Sequence, residues 1–426
     1  MVQEFEKISA VQGELELPGD KSISHRAVMF SSMAKGKSRI LNLSNSEDVK
    51  STKECFEALG VEFNETEEGL IVRGRGAGNF AAPFKPLYAG NSGTTARLMS
   101  GFLVAQNFTS FITGDTSLSQ RPMKRVITPL AAMGGSITCS DNDTLPISIK
   151  PVEKINAIEY NLPIPSAQIK SAVLIAGLHS NDNTSVIEKL QSRNHTEKML
   201  GLKVEKTERG IISYSSREKY PIAKEYFIPS DISTAAFFVV LTLLSKNSSL
   251  LIKNVSLNET RTGYIEVLKQ MGADITVEKP EEKAGEEYGD LLVKYSNLTN
   301  IEIPNKIIPN IIDEIPILAV AGIFADGNFI IRNASELHKK ESDRLKAICE
   351  NLKLLKLNVE EFEDGFHVSG NPNNVKPVFQ SYGDHRIAMA FGIFSMLLPT
   401  GGRVNGFECV KISNPEFLQQ VEKIVK

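Results

Sequence analysis

Cationic and polar side chains recur at the starts of apolar segments, in a pattern suited to binding anions. The apolar segments are rich in alanine, which is typical of helices buried on most faces. A helix start offers free N–H groups and a partial positive charge, so added lysine, arginine, serine and glutamine side chains make it an anion cradle. The clusters are Lys21-Ser22-Ile23-Ser24-His25-Arg26, Asn91-Ser92-Gly93-Thr94-Thr95 with Arg97, Ser166-Ala167-Gln168-Ile169-Lys170, Asp313-Glu314 and Asp384-His385-Arg386.

Three loop segments add charge to this pattern. Segment 119–125 holds three cations, and segments 192–197 and 339–344 mix cations with acids. Taken alone, each has a plainer interpretation as a solvated charge run, a capped helix start or a helix face with i,i+4 pairs. No Walker A, H-E-x-x-H or G-x-S-x-G motif occurs, and Gly74-Arg75-Gly76-Ala77-Gly78 lacks the strand and helix of a dinucleotide site. The absence of these motifs leaves P-loop, zincin, hydrolase and Rossmann chemistry without support.

The elements that must position these clusters form a repeat. Six buried helices are predicted to begin near Ser22, Ser92, Ser166, Ser230, Asp313 and Asp384, each opened by a preferred N-cap residue. Between them, an amphipathic helix, a small turn and two short strands recur five times. The turn residues, which we expect at positive φ, are Gly60, Gly134, Gly201, Gly272 and Lys356. A sixth unit would join the helix at 414–425 to a strand at 13–17, so we predict six α/β units in two groups of three.

Length and composition fit a soluble globular protein with two compact domains. The chain has 426 residues, 41% of them hydrophobic and 23% charged. We predict one domain at 20–230 and a discontinuous second domain from 1–19 plus 231–426. A net charge of −3 argues against nucleic-acid binding. No signal peptide or membrane-length apolar run is visible, and the four cysteines form no zinc or CxxC pattern, so we expect a cytoplasmic protein without a membrane partner.

Taken together, the motifs resemble those of the 5-enolpyruvylshikimate-3-phosphate (EPSP) synthases over essentially the whole chain. The matching strings are PGDKSISHRA, GNSGTTARL, SLSQRPMKR, PSAQIKSA, SRNHTEKM, SDISTAAFF, DEIP, KKESDRL and GDHRIAMA. The resemblance implies an α/β fold, a two-domain inside-out α/β barrel in which each domain has three βαβαββ units with buried helices. Four signatures match the class II subgroup: Gly19-Asp20-Lys21, Ser166 to Lys170, Arg193 to Glu197 and Asn258 to Arg261.

The same resemblance implies the reaction. Members transfer the enolpyruvyl group of phosphoenolpyruvate to the 5-hydroxyl of shikimate 3-phosphate and release phosphate, a step towards chorismate and the aromatic amino acids. It implies small anionic substrates, no metal, no organic cofactor and a monomer. Many class II members tolerate the inhibitor glyphosate, but some of these have alanine where this chain has Gly93, so its glyphosate sensitivity stays open.

Site residues are carried over from the family's motifs position by position. Asp313 matches the base at the 5-hydroxyl, Glu341 the acid/base at C3, and Lys21 a lysine that touches both substrates; which of them moves each proton stays open. Predicted contacts of shikimate 3-phosphate are Lys21, Ser22, Arg26, Ser166, Gln168, Arg193, Asp313 and Lys340. Predicted contacts of phosphoenolpyruvate are Lys21, Gly93, Arg121, Gln168, Arg344 and Arg386.

Some alternatives stay open at this point. An enolpyruvyl transferase acting on UDP-N-acetylglucosamine usually has Lys-Asn where this chain has Lys21-Ser22, and a loop cysteine near 118–121 where this chain has none. A non-catalytic anion-binding paralogue would be expected to lack Asp313 or Glu341. Lys411 stays off the site list because it lies four residues before Pro415, where many members have a lysine three before it. We further expect the cations to converge on a strongly basic interdomain cleft that closes on substrate.

Overall fold

The computed structural model describes residues 1–373 and 375–426, and the chain divides into two compact units. The central unit comprises Gly19–Ile228 with Glu282–Glu286, and the terminal unit comprises Met1–Pro18, Pro229–Glu281 and Glu287–Lys426. The sequence placed its boundaries at 19/20 and 230/231. It assigned 282–286 to the other domain, and in this the structure differs: those five residues cluster with the central unit.

Helices and strands alternate along both units. The helices are α1 Lys21–Met33, α2 Glu47–Ala58, α3 Gly93–Leu103, α4 Lys124–Ala132, α5 Ala167–Gly177, α6 His195–Leu200, α7 Ile232–Leu244, α8 Gly263–Gln270, α9 Ile308–Ile311, α10 Ile315–Phe324, α11 Arg344–Lys353, α12 His385–Leu397 and α13 Phe417–Ile424. The strands are β1 Val2–Phe5, β2 Gln12–Leu15, β3 Lys35–Leu41, β4 Glu62–Thr66, β5 Gly69–Arg75, β6 Leu87–Tyr88, β7 Ser110–Thr113, β8 Ser136–Thr138, β9 Ile147–Lys150, β10 Glu159–Asn161, β11 Thr184–Glu188, β12 Val204–Thr207, β13 Gly210–Ser215, β14 Glu225–Phe227, β15 Ser249–Ser256, β16 Asp274–Lys283, β17 Glu286–Lys294, β18 Phe329–Ile331, β19 Asn358–Phe362, β20 Gly365–Ser369, β21 Val378–Gln380 and β22 Gly402–Asn405.

The central unit contains three four-stranded sheets with one plan. Their strand orders are β14-β3-β5-β4, β6-β7-β9-β8 and β10-β11-β13-β12. In each sheet the first two strands are parallel and the other neighbours are antiparallel. Because parallel neighbours need a crossover connection, a helix must lie between them, and this gives the βαβαββ unit. The first sheet takes its opening strand, β14, from the far end of the unit.

The described residues of the terminal unit form one four-stranded and two three-stranded sheets, ordered β16-β17-β15-β2, β18-β20-β19 and β1-β22-β21. The predicted sixth unit was wrong in one respect. Strand β2 pairs in parallel with β15, whereas β1 pairs with β22. The start of the chain therefore supplies strands to two sheets, and α13 packs against β2.

The six predicted apolar helices are confirmed as α1, α3, α5, α7, α10 and α12, and nearly all of their residues are buried. Five begin with a side-chain cap, from Asp20, Ser92, Ser166, Asp231 and Asp384. The exception is α10, whose cap position is occupied by Glu314 without a capping hydrogen bond. All five predicted turn residues have positive φ, including Lys356 at 56°.

Each unit has its own hydrophobic core around these helices. In the described part of the chain no single helix is long and apolar enough to span a membrane. One pair of consecutive helices, Asn305–Ile311 and Ile315–Phe324, is together long and apolar enough. The pair is bent by 116°, and it qualifies by length and composition alone.

Candidate functional site

The start of α1 holds Lys21 beside a buried acid. Asp20 Oδ1 accepts the backbone N–H of Ile23 at 2.9 Å, which caps the helix and leaves Lys21 as its first residue. Lys21 Nζ lies 2.9 Å from Asp48 Oδ2 of α2. The ammonium is thus held at the positive end of a helix by a carboxylate, which offsets the unfavourable dipole interaction there.

Arg26 is buried one turn further along α1, and neutral oxygens accept its hydrogen bonds. Nε donates to Thr196 Oγ1 at 2.7 Å, and Nη2 donates to Ser171 Oγ at 2.8 Å. Nη1 donates to the backbone oxygen of Ser22 at 2.8 Å. Burial lowers the pKa of Arg26 to about 10, against the opposing effect of nearby acids. The guanidinium remains charged at neutral pH, and an anionic ligand would offset the cost of burying it.

His25 is a neutral neighbour of these cations. Its Nδ1 lies 2.7 Å from Thr52 Oγ1, which in turn lies 2.6 Å from Thr95 Oγ1 of α3. Burial, followed by the charges of Lys21 and Arg26, holds the pKa of His25 well below its usual range. The ring therefore adds no positive charge, and its hydrogen bonds join the starts of α1 and α3 through α2.

Arg121 follows β7 and lies beside the start of α3. Its Nη2 donates to Asn91 Oδ1 at 2.7 Å, and Asn91 Nδ2 donates to Asp115 Oδ2 at 2.7 Å. Asp115 Oδ1 also accepts the backbone N–H of Leu118 at 2.7 Å. This chain of hydrogen bonds fixes the loop that carries Arg121.

Arg97 contacts both Gln168 and Gly93. Arg97 Nη1 donates to Gln168 Oε1 at 2.7 Å, and Gln168 Nε2 donates to Thr94 Oγ1 at 3.0 Å. A Cβ atom at Gly93 would lie 2.5 Å from Arg97 Nη1 and 3.5 Å from Arg121 Nη1. The structure thus brings three predicted phosphoenolpyruvate contacts, Gly93, Arg121 and Gln168, to the adjacent starts of α3 and α5.

The remaining predicted residues of the central unit flank a buried ion-pair cluster. Ser166 caps α5, and Arg193 precedes α6 at a partly exposed position. Between them, Lys170 Nζ lies 2.6 Å from Glu188 Oε1 and 2.8 Å from Glu197 Oε1. Burial alone would lower the pKa of Lys170, but the two carboxylates raise it. Two class II signatures are therefore joined by one ion pair that fixes α5 against α6.

In the terminal unit, Arg344 is the centre of the predicted site. It is 1% exposed, and each of its three guanidinium nitrogens donates to a different carboxylate. Nε donates to Asp384 Oδ2 at 2.7 Å, Nη1 to Asp313 Oδ1 at 2.9 Å, and Nη2 to Glu341 Oε2. Burial alone would lower the pKa of Arg344, but Asp384, Glu341 and Asp313 more than offset it and raise the pKa above its ordinary value.

The other predicted residues of this unit join the same network. Lys340 Nζ donates to Asp313 Oδ1 at 3.2 Å. Arg386 Nη1 donates to the backbone oxygen of Asp313 at 3.2 Å, and Nη2 lies 3.8 Å from Asp313 Oδ2. Asp313, Lys340, Glu341, Arg344 and Arg386 therefore form one connected group, although they come from three separate parts of the chain.

The charge of this group differs from the sequence expectation. Three cations, Lys340, Arg344 and Arg386, meet four carboxylates, Asp313, Glu314, Glu341 and Asp384. The expectation of strongly basic surroundings counted these cations and overlooked the acids of the same unit that pair with them. Any anion that bound these cations would therefore compete with internal carboxylates for them.

Sequence reasoning missed several residues that hold the site together. They are hydroxyls and acids that bond the predicted cations directly, or through Asn91 in the case of Asp115: Asp48, Asp115, Ser171 and Thr196. Asp115 and Asp48 lie in ordinary polar segments with no motif to mark them. Thr196 and Ser171 could have been found, because each lies inside a signature string or directly after one.

Comparisons with known proteins agree over almost the whole length. Residues 5–421 match the family model described as EPSP synthase (3-phosphoshikimate 1-carboxyvinyltransferase). The chain is 46% identical over 420 residues to the 3-phosphoshikimate 1-carboxyvinyltransferase of Petrotoga mobilis, with 97% of each chain covered. It is similar to the structure of EPSP synthase from Acinetobacter baumannii, with a TM-score of 0.86, 38% identity, and 100% and 98% of the two chains covered.

A more distant structural similarity is to the enolpyruvyl transferase NikO from Streptomyces tendae. The TM-score is 0.75 at 12% identity, with 100% of this chain and 97% of the other covered. At that identity the similarity concerns the fold alone. It is consistent with the inside-out α/β architecture of two domains built from buried helices and outer sheets.

Proposed function

Because the chain belongs to the EPSP synthase family, we propose that it transfers the enolpyruvyl group of phosphoenolpyruvate to the 5-hydroxyl of shikimate 3-phosphate and releases phosphate. The product is 5-enolpyruvylshikimate 3-phosphate, a precursor of chorismate and the aromatic amino acids. The observation that carries the proposal is the Arg344 network, because it brings both proposed proton-transfer carboxylates, Asp313 and Glu341, into contact with one guanidinium.

Shikimate 3-phosphate needs donors for a phosphate and a carboxylate and an acceptor for its 5-hydroxyl. Arg26 offers a guanidinium whose three hydrogen bonds all go to neutral oxygens, which suits it to bind an anion. Ser166 lies at a helix start, where backbone N–H groups favour a phosphate. The full proposed set is Lys21, Ser22, Arg26, Ser166, Gln168, Arg193, Asp313 and Lys340.

Phosphoenolpyruvate carries its phosphate and its carboxylate on the same carbon, C2, and suits a set of planar guanidinium donors. Arg121 and Gln168 are held beside the Gly93 backbone, and the absence of a Cβ there lets a ligand approach the helix start. Arg344 and Arg386 would exchange part of their carboxylate contacts for contacts with this substrate. The full proposed set is Lys21, Gly93, Arg121, Gln168, Arg344 and Arg386.

The proposed chemistry is addition followed by elimination. C3 of phosphoenolpyruvate takes a proton, C2 gains cationic character, and the 5-hydroxyl oxygen adds to C2 while its own proton passes to a base. The tetrahedral ketal phosphate then loses a proton from C3 and expels phosphate, which restores the double bond. Asp313 accepts the hydroxyl proton, and Glu341 exchanges the proton at C3. Lys21, Asp313 and Glu341 are the proposed catalytic residues, and the steps require neither a metal nor an organic cofactor.

Phosphate release with each acceptor tests this proposal. The purified chain with phosphoenolpyruvate and shikimate 3-phosphate should release phosphate, and UDP-N-acetylglucosamine in place of the shikimate should give none. Release with the UDP-sugar alone would favour the alternative transferase instead. Repeating the assay with glyphosate measures sensitivity. We expect the protein to act as a monomer, which sedimentation of the active enzyme would check.

A further inference from the structure

Glu314 is a buried acid in the terminal unit that the proposed reaction does not use. It is 1% exposed and occupies the cap position of α10, directly after Asp313. A carboxylate at a helix start ordinarily accepts a backbone N–H of the first turn, but Glu314 makes no such cap. Burying an ionised carboxylate costs several kcal/mol unless it is paired, so its partners indicate its purpose.

Those partners are a hydroxyl and an arginine of the proposed site. Ser233 Oγ donates a short hydrogen bond to Glu314 Oε1. Arg386 Nη1 lies 3.5 Å from the same oxygen and donates to the backbone oxygen of Asp313 at 3.2 Å. The Arg386 guanidinium is therefore held between two consecutive residues at the start of α10.

A second buried arginine, Arg261, bonds the serine of this arrangement. Arg261 Nη2 donates to Ser233 Oγ at 2.6 Å, so the serine hydroxyl links Arg261 to Glu314. The Asn258 side chain accepts from the backbone N–H and the hydroxyl of Thr260 at 2.9 and 2.6 Å, and the Asn258 backbone oxygen accepts from the N–H of Arg261 at 2.8 Å. This local turn orients Arg261, and it is the Asn-x-Thr-Arg signature noted in the sequence.

We propose that Glu314 is a positioning residue that fixes the Arg386 guanidinium for phosphoenolpyruvate, with Ser233 and Arg261 as its support. The proposal rests on the proposed function, in which Arg386 contacts that substrate. Without the Glu314 charge, Arg386 loses the ionic partner of Nη1 but keeps the Asp313 carboxylate near Nη2, and the guanidinium settles closer to that carboxylate. The substrate then competes for an arginine that is more tightly held by an internal acid.

The tyrosine next to this group is neutral. Tyr264 lies fully buried beside this group, and burial, followed by the charge of Glu314, holds the pKa of its hydroxyl well above the ordinary value. The tyrosine therefore stays protonated and adds no negative charge beside Glu314.

Steady-state kinetics of Glu314→Gln test the proposal, because glutamine keeps the shape and the acceptor for Ser233 but removes the charge. At saturating shikimate 3-phosphate, KM for phosphoenolpyruvate should rise about ten- to hundred-fold, the effect of losing a charged contact. KM for shikimate 3-phosphate should change by less than about threefold. Ser233→Ala, which removes the link but no charge, should shift KM for phosphoenolpyruvate in the same direction by less.

Asp290→Asn is the matched control. Asp290 is also a buried acid of the terminal unit, but it pairs with Lys253 at 3.3 Å, and among the described residues its contacts include no proposed site residue. The Asp290→Asn protein should be less stable than the unaltered protein, without a change in KM for either substrate. If Glu314→Gln and Ser233→Ala both behave like this control, with KM for phosphoenolpyruvate unchanged, Glu314 is structural only and the proposal is wrong.

A thermal-unfolding readout keeps this test separate from the proposed function. If the unaltered protein released no phosphate with the two substrates, the proposed function would fail. The positioning claim would then be decided by stabilisation of the protein by phosphoenolpyruvate. That stabilisation should be lost in Glu314→Gln and kept in Asp290→Asn, and equal stabilisation of both variants would overturn the claim.

Discussion

Lys170 Nζ lies 2.8 Å from Glu197 Oε1, so one buried ion pair joins two motifs that also carry proposed substrate contacts. The same ammonium lies 2.6 Å from Glu188 Oε1. The motif that starts at Ser166 therefore has its first residues at a helix start with proposed substrate contacts and its last residue in the core. The same holds for the motif from Arg193 to Glu197.

Replacing Lys170 with methionine should destabilise the central unit by about 3–5 kcal/mol, because two carboxylates would stay buried without a cation. Urea unfolding followed by circular dichroism measures this, since the chain has no tryptophan to report by fluorescence. Lys203→Met is the control, because its ion pair with Glu205 is largely exposed and should matter little. Equal losses of unfolding free energy in the two variants would show that the buried ion pairs stabilise the protein no more than the exposed one.

Asp313→Asn and Glu341→Gln should each fold normally but lower kcat by about 10²–10⁴, the usual contribution of a proton-transfer group. Folding should survive because Arg344 keeps its other carboxylates in each variant. Initial rates of phosphate release, with circular dichroism spectra of the same samples, give both quantities. Glu350→Gln, an acid on α11 that bonds Tyr382, is the control. A near-normal rate in either variant would remove that residue from the mechanism.

Gly93→Ala should raise KM for phosphoenolpyruvate with little effect on stability. The added Cβ would lie 2.5 Å from Arg97 Nη1, so Arg97 must move, and its hydrogen bond to Gln168 would be disturbed. Alanine in the first turn of α3 is a better helix former than glycine by about 1 kcal/mol, which offsets the strain. Kinetics with phosphoenolpyruvate varied would check this. Arg97→Lys should reproduce part of the rise in KM. If KM for phosphoenolpyruvate is unchanged in Gly93→Ala and in Arg97→Lys, the position of Arg97 does not affect substrate binding.

His179 predicts a loss of stability in acid. Burial, with a smaller effect from Arg217, lowers the pKa of His179 to about 4. The folded state therefore favours the neutral ring, whereas the unfolded chain takes up a proton near pH 6.5. The stabilisation is complete above about pH 6.5 and falls by up to about 3 kcal/mol as the pH drops towards 4.

His179→Phe is the variant that isolates this effect. Phenylalanine keeps a ring beside Tyr220, whose centroid is 5.4 Å away, but it cannot be protonated. The difference in unfolding temperature between the two proteins should change between pH 7 and pH 4, in favour of the variant at low pH. Parallel curves would mean that His179 is protonated equally in the folded and unfolded states.

The repeat was predictable because each unit has a strong local signal. Apolar helices with Ser or Asp caps, followed by a turn residue at positive φ, gave the six helices and the five turns, including Lys356. The destination of the N-terminal strands was not predictable in the same way. Pairing of β2 with β15 and of β1 with β22 depends on contacts between distant parts of the chain. The sequence of a short strand does not indicate which other strand it pairs with.

The candidate site shows the same division. Motif residues such as Arg26, Arg344 and Asp313 could be named from the sequence, because a resemblance fixes their positions. Their environment could not be named, since burial and pairing arise only when the chain is folded. The sequence shows Arg344 as one cation among many, whereas the structure shows it bonded to three carboxylates.

The most direct measurement of the central claim is a phosphorus NMR time course with phosphoenolpyruvate and shikimate 3-phosphate in equal amounts. We predict that phosphoenolpyruvate disappears at the rate at which inorganic phosphate forms, while the shikimate phosphate signal is replaced by that of its 5-enolpyruvyl ether. Inorganic phosphate with free pyruvate and unchanged shikimate 3-phosphate, or no reaction at all, would contradict the account.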